Sequence, residues 1–234
     1  VNPSHQERPR QLPLELGHEP EFSRDHLVVS AANAEAAALV DRWPEWAAPV
    51  AILAGPTGSG KSHLARIWAY RAEAVFVAPG DIASTGPDAG ERPVVVDGVA
   101  PGGFDETALF HLINQVRAAG SSLLLTSRHF PAAWGVSLAD LQSRLRAATL
   151  VEIREPDDML LAGVITKLFA DRQVEIERHV VQYLIARIER SLSTANGVVE
   201  RLDRAAMEEK SRITRALAAR IVNALDEGQG SLDF

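Results

Sequence analysis

The sequence contains no cysteine in 234 residues. That excludes a disulfide framework and any metal site built on thiolates, and it suits a reducing compartment. No apolar run approaches the roughly 18 residues a membrane-spanning helix needs. The N-terminal stretch is polar and proline-bearing, unlike a signal-peptide core, so the expectation is a cytoplasmic protein with no membrane partner. A basic excess is also missing: 24 Lys and Arg stand against 31 Asp and Glu, a net charge of −7. Neutralisation of phosphates by Lys and Arg dominates DNA binding, so this balance argues against a chain that is chiefly a DNA binder. His111, His129 and His179 show no ligand spacing with His63 or with one another, which leaves no metal site to expect apart from Mg²⁺. What remains is ordinary globular composition, 46% hydrophobic and 24% charged, in a length sufficient for one large or two modest domains.

The rest is organised around Val50 to Leu64. An apolar run, Val50 to Ala54, breaks into Gly55, Pro56, Thr57, Gly58, Ser59, Gly60, Lys61 and Ser62, and a helical stripe of Leu64, Ile67, Trp68 and Arg71 follows. This is a complete phosphate-binding loop between a strand and a helix. Its glycines let backbone N–H groups approach a ligand, and the helix N-terminus favours negative charge. Lys61 is expected to reach the β and γ phosphates of a purine nucleotide, and Ser62 to ligate Mg²⁺. Upstream, Leu27 and Val28 belong to an apolar stretch of the kind that walls the nucleotide base. Trp43 and Trp46 read as packing residues in preference to a stacking platform.

Downstream, Val75 to Ala78 reads as a short buried strand and Pro79 to Arg92 as a loop. The strand Pro93 to Asp97 delivers an aspartate at its end, where a P-loop protein places the carboxylate that holds Mg²⁺ through water. Position 98 is glycine, where an efficient ATPase has a glutamate to polarise the attacking water, so weak or no unaided hydrolysis is expected. Asp105 and Glu106 could substitute, but helix capping at Thr107 is the expected use of that loop. A helix striped by Leu109, Leu112, Ile113 and Val116 stops at Gly120, and the buried strand Ser122 to Ser127 brings Thr126, Ser127 and Arg128 to the ligand-facing edge. Leu138 to Arg146 is a helix with Arg144 and Arg146 outward, and Leu150 to Ile153 a fifth strand.

The alternation predicts an α/β domain over 21–155: a parallel five-stranded sheet with helices on both faces. After the boundary at Glu155 to Asp158, residues 156–227 predict a small all-helical domain of four amphipathic helices. Tails occupy 1–20 and 228–234. Within the first, Gln11, Leu12, Leu14 and Leu16 have the composition of a peptide that docks into a partner's pockets, or alternatively of a linker strapped onto its own domain.

The stretches GPTGSGKS, VVVDG, LLLTSR, LQSRL and SLSTANGVVERLDRA resemble the AAA+ module of the replication initiator DnaA, and the fold is then a P-loop AAA+ module followed by a helical lid. DnaA proteins continue into a helix-turn-helix domain, which this sequence does not contain, and the resemblance narrows to the Hda-type DnaA homologues. That resemblance implies ATP or ADP with Mg²⁺ bound by Gly55 to His63 and by Asp97, Ser127 in the sensor I region, and Arg144 as an arginine finger acting in trans. Asn196 stands at the lid position where DnaA carries its sensor II arginine. The implied partners are DnaA, the DNA polymerase III sliding clamp bound through Gln11, Leu14 and Leu16, and a second copy in a dimer, with DNA reached only through the clamp. Gln229, Leu232 and Phe234 repeat the clamp-peptide spacing at the other terminus. The implied function is regulatory inactivation of DnaA, with a self-sufficient ATPase such as a helicase or clamp loader as the alternative.

Overall fold

The computed structural model describes residues 24–86 and 89–229, with side chains to Leu225. The peptide at Gln11, Leu12, Leu14 and Leu16 lies outside the described residues, as do Leu232 and Phe234. Gln229 is described by its backbone alone, as the end of the last helix.

β1 (Val50–Ala54) is buried at every position because it lies inside the sheet with a strand on each side. All pairings are parallel, and the described strands are ordered β2-β3-β4-β1-β5, with β2 Val75–Val77, β3 Val94–Val99, β4 Leu123–Ser127 and β5 Thr149–Glu152. Alternation along β1 sends Ala51 and Leu53 to one face and Val50 and Ile52 to the other. The first face is covered by α1 (Ala34–Arg42) and α2 (Lys61–Ala72), which contribute Leu39, Val40, Leu64, Ile67 and Trp68. The second is covered by α3 (Glu106–Ala118) and α4 (Ala139–Arg146), through Leu109, Leu112, Ile113, Val116, Leu141 and Leu145. The expected three-layer α/β domain is present.

The tryptophans pack, as expected. Trp46 stacks on the fully buried Trp68 at 5.0 Å, and Trp43 meets Trp68 edge-on at 6.1 Å. Two local readings change. β2 is an edge strand with only β3 beside it, and Val75 and Phe76 remain 39% and 48% exposed. A short apolar run tells of strand formation but not of its place in the sheet. The helix expected to be capped at Thr107 begins at Glu106, and Asp105 is its cap, accepting the Ala108 N–H at 2.8 Å.

Beyond β5, Asp157 caps α5 (Asp158–Asp171) by accepting the Leu160 N–H at 2.7 Å. The Arg154 N–H donates to Ala32 at 3.0 Å, which ties this junction to the segment before α1. α6 (Arg178–Ile185), α7 (Leu192–Glu209) and α8 (Arg215–Gln229) complete a second unit around Phe169, Val180, Leu184, Val198, Val199 and Leu202. Each fully buried apolar side chain of that size contributes about 1.5–3 kcal/mol, enough for the four helices to hold a core of their own. α8 runs to Gln229, slightly past the expected start of the tail.

Candidate nucleotide site

β1 ends at Ala54, and the chain turns through Gly55 to Gly60 into α2. Gly58 has φ +71° and Gly60, the residue before α2, φ +96°, both left-handed conformations that favour glycine. A Cβ at Gly55 would stand 2.1 Å from the carbonyl oxygen of Ile153, the residue after β5, so the loop also requires a bare Cα there. Lys61 is buried, and its Nζ donates to the carbonyls of Gly55 at 2.8 Å and Pro56 at 2.6 Å. Burial lowers its pKa, the charge of Arg128 lowers it further, and Asp97 opposes both.

Ser62, the second residue of α2, donates from Oγ to Asp97 Oδ1 at 3.0 Å. The same oxygen accepts the Thr126 hydroxyl, and Thr126 Oγ1 accepts the Gly98 N–H at 2.9 Å. One carboxylate and one hydroxyl, brought together from separate elements, are the sparse protein ligands of a magnesium ion whose remaining positions are phosphate and water. No group of three or more His, Cys, Asp or Glu side chains suited to a metal occurs among the described residues. The bare loop backbone, the buried ammonium and the serine–aspartate pair fit a nucleoside polyphosphate with Mg²⁺.

Ser127 does not face this pair. Its hydroxyl is fully buried, donating to the Val99 carbonyl at 2.7 Å and accepting from His129 N and Trp134 Nε1 at 3.1 Å each. Thr126 is the hydroxyl of β4 that reaches Asp97. Neither acid downstream is free to serve water activation. Asp105 caps α3, and Glu106 accepts from the backbone of Ser137 at 3.0 Å and Leu138 at 2.8 Å. Those bonds to Ser137 and Leu138 hold the Glu106 pKa below its ordinary value.

The lid sits directly on the phosphate loop. Leu192 N–H, the first of α7, donates to the Gly58 carbonyl at 2.8 Å, and a Cβ at Gly58 would stand 2.0 Å from Ser191 Oγ. Ser191 and Leu192 were not legible as site residues, since nothing local marks a serine cap as a neighbour of a loop so distant in sequence. Val28 packs between the two units, where a Cβ at Gly163 of α5 would meet its Cγ1 at 2.7 Å, and Leu27 packs against the cluster under α2. His63 is half-buried, and its pKa is lowered by burial, then by Lys167 of α5 and Arg66 of α2. Asn196 lies on α7 and donates to Glu200 of the same helix at 2.8 Å. Arg144 is half-buried on α4, and its side chain makes no hydrogen bond or ion pair with any described residue.

The Hda lid domain family matches residues 164–220. The chain superposes on domain III of the Thermotoga maritima replication initiation protein DnaA with a TM-score of 0.74 at 15% identity, covering 88% of this chain and 97% of that one. AMPPCP-bound DnaA from Aquifex aeolicus gives 0.66 at 18% identity over 82% of this chain and 70% of that one. The Thermotoga maritima RuvB Holliday junction branch migration motor gives 0.59 at 19% identity, covering 75% and 61%. An uncharacterized protein of Haemophilus influenzae is 29% identical over 119 residues, 50% of this chain and 52% of that relative, so the match spans about half the length of the curated relative. No helix among the described residues is long and apolar enough to cross a membrane. The helical unit thus matches the Hda lid domain family, and the chain as a whole shares the fold of DnaA domain III.

Proposed function

We propose that the protein is a nucleotide-binding regulator of replication initiation that acts on ATP held by DnaA. In this reading it docks on the DNA polymerase III sliding clamp through Gln11, Leu12, Leu14 and Leu16, and presents Arg144 to the nucleotide of an adjoining DnaA. A guanidinium placed against the transferring phosphate stabilises its developing charge, an effect of about 10³ to 10⁵ in rate in other NTPases. The observation that carries the proposal is the incomplete hydrolytic machinery: Asp97 is followed by glycine, Asp105 caps α3, and Glu106 is engaged by the backbone of Ser137 and Leu138. Nucleotide, whether ATP or ADP, then serves chiefly to set the shape of this protein and its lid. A dimer of the protein would store the finger face, and DNA would be reached only through the clamp.

The test is phosphate release from ATP-loaded DnaA with DNA-loaded clamp. Addition of the wild-type protein is expected to accelerate hydrolysis, Arg144→Ala to abolish the acceleration, and Gln11→Ala to abolish it at limiting clamp. Undiminished acceleration by Arg144→Ala would remove the finger, and no acceleration by the wild type would remove the regulatory reading.

A further inference from the structure

α4 begins without a cap of its own. The residue before it, Leu138, has no side-chain acceptor, and no cap bond is made from that position. The acceptor comes from another helix instead. Glu106, the first residue of α3, takes the Ser137 N–H at 3.0 Å, the Ser137 hydroxyl at 3.0 Å and the Leu138 N–H at 2.8 Å on Oε2. In a capping box that place is filled by a glutamate from the helix's own first turn. Here α3 supplies it, and sets a carboxylate at the positive end of α4.

The helix anchored in this way has eight residues, short of the roughly 12–15 at which a helix begins to hold in water by itself. Leu141 and Leu145 fix one stripe of it against the sheet. Packing along a single stripe leaves the helix able to slide and turn about that stripe, and a bond at its start removes this freedom. The segment leading into α4 is pinned at its other end, where Trp134 Nε1 donates to Ser127 Oγ at 3.1 Å and its ring meets Phe104 edge-on at 5.8 Å. Arg144 follows Leu138 by about 9 Å along the helix axis. With no hydrogen bond or ion pair to any described residue, its guanidinium is placed by the helix and not by contacts of its own.

We propose that Glu106 is a positioning residue for Arg144: by bonding the start of α4 from α3, it holds the finger helix where Arg144 reaches a nucleotide bound by an adjoining molecule. The inference rests on the finger reading above. Misplacement of a reacting group by about 1 Å can cost about 10²-fold in rate, so a loosened α4 lowers the rate within the assembled complex more than it lowers assembly.

Phosphate release from ATP-loaded DnaA with DNA-loaded clamp tests it, measured over a concentration series of the wild type, Arg144→Ala, Glu106→Ala, Glu106→Asp and Glu106→Gln. The melting temperature of each chain certifies its fold, and Asp105 still caps α3 in all of them. Glu106→Ala is expected to lower the maximal rate about tenfold and to move the half-saturating concentration less than about twofold. Glu106→Asp keeps the charge but falls one methylene short of Ser137 and Leu138, and is expected to lose rate likewise. Glu106→Gln keeps the reach and one acceptor oxygen, and is expected to retain most of the rate. A maximal rate within about twofold of wild type in Glu106→Asp overturns the proposal, even where Glu106→Ala fails to fold; so does a loss confined to the half-saturating concentration. Acceleration that survives Arg144→Ala removes the finger and this inference with it, and a wild type that accelerates nothing removes the regulatory reading as well. Acceleration lost in Arg144→Ala but kept in Glu106→Ala and Glu106→Asp sinks this inference alone.

Discussion

At position 98 the backbone sits at φ +86°, in a region where a side chain costs about 1–2 kcal/mol. The missing glutamate is therefore built into the strand end: Gly98 turns β3 so that its N–H holds Thr126, and Thr126 holds Asp97. Gly58 carries a similar double demand, from its left-handed φ and from Ser191 overhead. His63 gives the site a pH dependence whose sign follows from its lowered pKa. Between the folded value and the ordinary value of about 6.5 the unfolded chain binds more protons than the folded one. The stability it contributes is thus fully present above the ordinary value and is lost as pH falls through the folded one, as a charged imidazolium is held away from water and beside Lys167 and Arg66. The expected outcome is a melting temperature that falls between about pH 7 and about pH 5.5 in the wild type and falls less in His63→Gln; parallel profiles would exclude His63 as the source.

Three helix starts are secured in the same way, with Asp105, Asp157 and Ser191 each accepting an N–H three residues on. Asp157 holds the junction at which the α/β domain becomes the lid. Although burial opposes its charge, bonds from Leu160, the Ser30 hydroxyl and the Ala32 and Met159 backbone lower its pKa. Asp157→Ala should cost about 1 kcal/mol, the ordinary worth of a cap, seen as a lower denaturation midpoint at unchanged slope. An unchanged midpoint would show that the junction is held by packing alone. These elements were largely legible in the sequence, because period and capping are local signals. Leu109, Leu112, Ile113 and Val116 announced α3, and Gly55 to Ser62 announced the loop between β1 and α2. The exposure of β2 was not legible, because strand order is set by neighbours far away in the chain. The roles of Thr126 and Ser127 were not separable either: adjacent strand residues face opposite sides, and only the sheet shows that Thr126 meets Asp97 while Ser127 serves Val99 and Trp134.

Across the whole molecule, the phosphate loop is read from two sides. The sheet edge contributes Asp97 and Thr126, and the lid contributes Ser191 and Leu192 through direct contact with Gly58. In the proposed reading a nucleotide seated there fixes the lid relative to the α/β domain and is consumed slowly, because position 98 is glycine and Glu106 is engaged by Ser137 and Leu138. This division is the core of the proposed role: retention of nucleotide in cis and stimulation of hydrolysis in trans. It was legible in outline from GPTGSGKS and VVVDG, and the capping use of the Asp105 loop with it, but the engagement of Glu106 by Ser137 and Leu138 was visible only in three dimensions. The most direct measurement is turnover of ATP by the purified chain alone, with Mg²⁺ and without DnaA or clamp. The expected result is bound nucleotide with turnover far below the range of about one per second and upward typical of self-sufficient enzymes. Turnover at or above about one per second would contradict it and make the protein an independent ATPase.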